Sequence, residues 1–197
     1  MRKANYELES TLYKLMQVAL EQTLKSCDAG VPWVTTKVEG FAELQHASCI
    51  VLTVSSFKFK IMCLLHLSMD AANRQFVADA LGSPVEELQE SEYSDYLLEM
   101  SNSFCGNLKR HLQSSCPPLG MSTPNFLDRH CFDGSISVQF AHSVHVRAQM
   151  AVGAPSLFAA SAMVILKNDG DLTLQHYHEH VSEIDSEADS SGELELF

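Results

Sequence analysis

A glutamate and an asparagine stand three positions apart in the stretch Asp95-Tyr-Leu-Leu-Glu99-Met-Ser-Asn102-Ser-Phe-Cys-Gly106. Residues at i and i+3 of a helix are neighbours, with Cβ atoms roughly 5–6 Å apart. Such a pair offers one anionic acceptor and one neutral carboxamide that both donates and accepts. The carboxylate suits a cation on a partner. The carboxamide can orient a water beside an anionic group without adding charge there, as Gln does in GTPases. This chemistry requires the stretch to be helical and the pair to be exposed together.

The spacing predicts that. With about 100° per residue and Leu97 as origin, Phe104, Leu108 and Leu112 fall within about 60° of it and form one apolar stripe. Asp95, Glu99, Asn102 and Gly106 fall at about 140–200°, on the opposite face. A mid-helix glycine costs roughly 1 kcal/mol relative to Ala. A physical reason to keep one on the polar arc is that another surface must come close there.

The elements that must position this arc read as follows. Residues 4–26 form a helix, with Leu8, Leu12, Leu15 and Ala19 as its stripe, ended by Gly30 and Pro32. Residues 34–40, 48–54 and 58–67 are β-branched and apolar, which predicts three strands, mostly antiparallel with short connections. His66 lies in the last and reads as a core or edge histidine. Residues 70–81 form a helix with Ser68 or Asp70 as N-cap and Gly82 as its stop. Ser83-Pro84 starts a further helix that runs through the arc to about Gln113, with Glu90–Ser91 as the point for a break. A loop spans 114–120, and strands return at 135–140, 144–150 and 156–166. The domain boundary is placed after residue 170, with 171–197 an acidic C-terminal extension that is partly disordered.

The totals restrict partners. The chain has 197 residues and a net charge of −12. That excludes a nucleic-acid backbone, which needs clustered Lys and Arg, and disfavours an anionic membrane surface. The six cysteines form no Cys-x-x-Cys and read as buried reduced thiols of a cytoplasmic protein. No stretch is long and apolar enough to span a membrane.

The run Asp95-x-x-x-Glu99-x-x-Asn102-x-x-x-Gly106, followed by Pro124 in Met121-Ser-Thr-Pro-Asn, resembles the signature of the CheC/CheX/FliY superfamily of chemotaxis phosphatases. The first helix carries no Glu-x-x-Asn, so a second copy is absent, which points to the single-site CheX-like branch. The order of elements over about residues 5–168 is similar to that family. The resemblance implies an α/β (α+β) fold, with a mainly antiparallel sheet and long helices packed against it. It also implies a homodimer formed through the sheets. The implied activity is hydrolysis of the aspartyl-phosphate of a CheY-like response regulator. By motif position, Asn102 orients the attacking water and Glu99 pairs with the receiver's active-site lysine. Asp95 has a flanking partner-binding role, and Gly106 and Pro124 are structural positions. No cofactor belongs to this chain; magnesium belongs to the receiver.

Two other readings stand beside this one. The same face could serve a non-enzymatic module that binds a receiver or a flagellar or sensory protein. His176, His178 and His180 would share a face on a strand, as in a metal site, but only His176 and His180 would align on a helix. The exposed-tail reading is taken for them, and no metal is assigned.

Overall fold

Among the described residues, antiparallel pairing joins seven strands into one sheet, in the order Val34–Val38 (β1), His142–Gln149 (β6), Ser156–Leu166 (β7), Phe59–Leu67 (β3) and Ser48–Ser55 (β2), with Gly120–Met121 (β4) and Asn125–Asp128 (β5) both on the outer edge of β2. The computed structural model describes residues 2–27, 30, 32–116, 118–128, 131, 139–151, 156–167, 172 and 174. The elements are α1 (Arg2–Cys27), β1 (Val34–Val38), a 3-10 turn (Phe41–Glu43), β2 (Ser48–Ser55), β3 (Phe59–Leu67) and α2 (Ala71–Leu81). They continue with α3 (Glu90–Gln113), β4 (Gly120–Met121), β5 (Asn125–Asp128), β6 (His142–Gln149) and β7 (Ser156–Leu166). The arrangement is α+β. No helix among the described residues is long and apolar enough to cross a membrane.

Period-two alternation gives each central strand two distinct faces. Ile50, Leu52 and Val54 of β2, Ile61, Cys63 and Leu65 of β3, and Phe158, Ala160, Ala162 and Val164 of β7 enter one core with α1 and α3. Val144, Val146 and Ala148 of β6 join them, whereas Met150, expected on the same face, lies past the strand and is exposed. Leu172 is also buried in this core, and Leu174 packs against it. Trp33 is buried against Phe76 and Phe158.

The other face carries smaller apolar clusters, one of them Cys49, Leu64 and Met163 with half-buried Val51 and Met62. His66 is a buried core histidine on this face: its Nε2 lies 2.8 Å from Ser161 Oγ, and His145 Nδ1 lies 2.7 Å from the same oxygen. One hydroxyl proton cannot serve two acceptors, so at least one of the two histidines donates its ring N–H to the serine oxygen.

Several expectations change. The helix does not start at Ser83-Pro84. Glu87 N donates to Pro84 O at 3.0 Å in an isolated turn, and α3 begins at Glu90. There Gln89 and Glu92 form a reciprocal capping box that satisfies the first amides. Asp70 is the N-cap of α2, accepting from Asn73 N at 3.0 Å, and Gly82 closes it in the left-handed region at φ 66°. The strand over 34–38 does not join its sequence neighbour but pairs with β6 at the far edge. Residues 120–128, to which the sequence assigns no strand, supply β4 and β5. Of the cysteines, none in a disulfide, Cys49, Cys63, Cys105 and Cys116 are buried, Cys27 is half-buried, and Cys131 is exposed. Most of the expected strand at 135–140, the Asn168–Gly170 turn and the His176–His180 cluster lie outside the described residues, as does nearly all of 171–197.

Candidate functional site

The polar arc depends on α3 being held against the body along its length. Leu97, Phe104, Leu108 and Leu112 are fully buried, with Met100 and Cys105 beside them, so the apolar stripe faces inward as its spacing predicts. Near the N-terminal end, the Tyr93 hydroxyl donates to Asn73 Oδ1 of α2 at 2.8 Å. Arg74 pairs with Glu90 at 2.6 Å and lies 4.8 Å from the centre of the Tyr93 ring. Burial pushes the Tyr93 phenol up to about 12. Near the C-terminal end, His111 Nε2 lies 3.0 Å from Gln22 Oε1 of α1, and Asn107 Nδ2 donates to Thr23 Oγ1 at 3.1 Å. Burial and the neighbouring Arg110 charge hold the His111 imidazole below its ordinary value.

With the helix fixed at both ends, Asp95 and Glu99 are exposed, while Asn102 and Gly106 are half-exposed on the same side. Asn102 Nδ2 donates to Glu99 Oε2 at 3.4 Å. The amide nitrogen is therefore turned toward the carboxylate. Oδ1 of Asn102 and Oε1 of Glu99 have no partner among the described residues. A Cβ built on Gly106 meets nothing within 4 Å. Among the described residues no packing demands the glycine, nor does its φ, since only Gly82 among them has positive φ. The arc can thus accept a hydrogen bond from a water, receive a cation, and admit a closely approaching surface.

Pro124 lies elsewhere, in the connection between β4 and β5. Met121 pairs with Val54 and Asn125 with Val51, so three residues on the edge face two on β2. Proline, which has no amide to contribute, fits this break in the ladder. The signature stops at Gly106, but the same rotation places Lys109 and Arg110 at about 120° and 220° from Leu97, on the continuation of the arc. The 3.6-residue period carries that signal in the sequence. Among the described residues, no group of three His, Cys, Asp or Glu side chains is arranged to hold a metal ion.

No protein-family model matches the sequence, and no curated protein matches it. Solved structures do match over most of the chain. Chemotaxis protein CheX from Vibrio vulnificus is similar at TM-score 0.59 and 14% identity, over 79% of this chain and 99% of that one. This chain has the CheC/CheX fold. A CheC-like superfamily protein from Shewanella sp. PV-4 is similar at TM-score 0.58 and 12% identity, over 79% and 97% of the two chains. CheX from Borrelia burgdorferi, solved with CheY, BeF3 and magnesium, is similar at TM-score 0.54 and 8% identity, over 79% and 97%.

Proposed function

We propose that this chain is a CheX-like protein-aspartate phosphatase whose substrate is a phosphorylated CheY-like receiver domain. The observation that carries the reading is the Glu99–Asn102 pair. It sits exposed beside a glycine that nothing in the chain requires, on the long helix of a CheC/CheX fold. The Borrelia burgdorferi CheX bound to CheY supports a receiver as the partner.

An aspartyl-phosphate carries a good leaving group, so its hydrolysis mainly needs a water held in line with the scissile bond. Asn102 Oδ1 accepts a hydrogen bond from the water and aims the oxygen lone pair at phosphorus. As the new P–O bond forms, the bond to the aspartyl oxygen breaks, the carboxylate departs with its electron pair, and phosphate carries away the oxygen of the water with its two protons. A neutral amide does this without repelling the phosphoryl oxygens, which a carboxylate at position 102 would do. Glu99 receives the receiver's lysine on its outward oxygen, and Asp95 flanks that contact. Magnesium, expected on the receiver, supplies neutralisation of phosphoryl charge. The protein acts in chemotaxis or two-component signalling and works as a homodimer through the sheet face on which Val51 and Met62 are half-buried.

The test is phosphate release from a panel of phosphorylated receivers with magnesium. Wild type accelerates release for its cognate receiver, Asn102→Ala loses the acceleration while still binding, and Glu99→Ala binds more weakly. A wild type that leaves every receiver's rate unchanged refutes the enzymatic reading. Binding without acceleration makes the chain a receiver-binding module.

A further inference from the structure

Past Gly106 the arc of α3 changes sign. Asp95 and Glu99 give its N-terminal half two exposed carboxylates, and Lys109 and Arg110 give its C-terminal half two cations. None of the four has an ion-pair partner among the described residues. Arg110 is exposed, yet it is not loose. Its Nη1 donates to Asn107 Oδ1 at 3.2 Å, and Asn107 Nδ2 donates to Thr23 Oγ1 at 3.1 Å. The Thr23 hydroxyl, fully buried, donates to Ala19 O at 2.8 Å in α1. A guanidinium is thus tethered through a neutral carboxamide to the neighbouring helix. Part of its rotamer entropy is already spent, and its charge stays uncompensated.

We propose that Lys109 and Arg110 are the positive pole of a charge-polarised docking strip, and that they contact acidic side chains on the rim of the receiver that binds this face. The inference rests on the reading of the arc as a receiver-docking face. Arg110 lies eight residues beyond Asn102, about 12 Å along the axis. One side chain does not span that to a phosphoryl group held at Asn102, so the pole orients the partner and takes no part in the chemistry. A receiver with a lysine opposite Glu99 and acidic groups opposite Arg110 fits in one direction along α3. The reverse direction sets like charges together. The notch at Gly106 lies between the poles, where the partner comes closest.

The experiment uses full-length protein and a panel of receivers loaded with beryllofluoride and magnesium, with association followed on a biosensor at low and high salt. Arg110→Glu slows association about tenfold at low salt, and the gap closes at high salt, where rim charges are screened. Arg110→Lys restores most of the rate. Asn107→Ala, which releases the tether, gives a smaller loss of the same sign. In turnover of the phosphorylated receiver, Arg110→Glu raises KM and leaves kcat unchanged. If Arg110→Glu associates as fast as wild type, the polarity inference is overturned and the docking face stands. If wild type binds no receiver in the panel, both fall together.

Discussion

Gly106→Ala separates stability from function on one residue. Gly106 is inside α3, well away from both ends, and a Cβ there meets nothing within 4 Å. The methyl group therefore costs no packing in the free chain and removes the conformational freedom of glycine. The gain is about 0.8–1 kcal/mol from helix propensity, which for a chain of this size raises Tm by roughly 2–4 °C. In the complex the same methyl fills the gap through which the partner approaches. Overpacking a fitted surface costs about 1–3 kcal/mol, or roughly 5- to 150-fold in affinity. Gly82→Ala is the internal control. It is equally uncrowded but has φ 66°, where a side chain is strained, so it lowers stability by roughly 1 kcal/mol and leaves docking unchanged. Thermal unfolding by circular dichroism reads the first effect, and titration with a beryllofluoride-loaded receiver reads the second. A Gly106→Ala protein that is stabilised and binds and turns over its receiver like wild type refutes the close-approach reading of this glycine. One that is destabilised refutes the claim that the chain itself has no use for it.

Phe104→Ala empties a fully buried site between α3 and the core and costs about 3–5 kcal/mol, read as a fall in the urea midpoint. Burial holds the His145 imidazole below its ordinary value, and burial with Arg110 does the same to His111. Between the ordinary value of about 6.5 and the lower folded values, the unfolded chain binds the protons that the folded chain refuses. Stability is therefore flat above that range and falls as pH drops through it. Urea midpoints at pH 8 and pH 5 check this, and a midpoint that does not fall refutes it. Light scattering of the intact chain gives twice the chain mass if the homodimer forms, and Met62→Glu, at a half-buried position on the outer sheet face, returns it to the monomer.

Much of the site was legible because it lies along a single helix. Helical rotation alone relates Leu97, Phe104 and Leu108 to Glu99, Asn102 and Gly106, and tertiary packing had only to agree about which side faces inward. Local capping chemistry was less secure. Ser83-Pro84 has the right residue types for a helix start, but the Gln89–Glu92 capping box, six residues on, sets it instead. The two signals compete over so short a distance that residue type does not rank them. Arg110 follows from the same rotation as the signature, but its tether does not, because Thr23 and Asn107 are 84 residues apart.

The sequence by itself determined the long amphipathic helix, its polar arc, the hairpin of β2 and β3, and the acidic balance of the chain. All of these depend on near neighbours or on totals. Only the tertiary structure decided that β1 crosses to pair with β6, that β4 and β5 edge β2, and that His66 and His145 share one serine. It also decided that the space around Gly106 is empty and that a buried threonine holds the arginine beyond it. Each of these joins residues far apart in the chain, through hydrogen bonds and burial that no local period encodes.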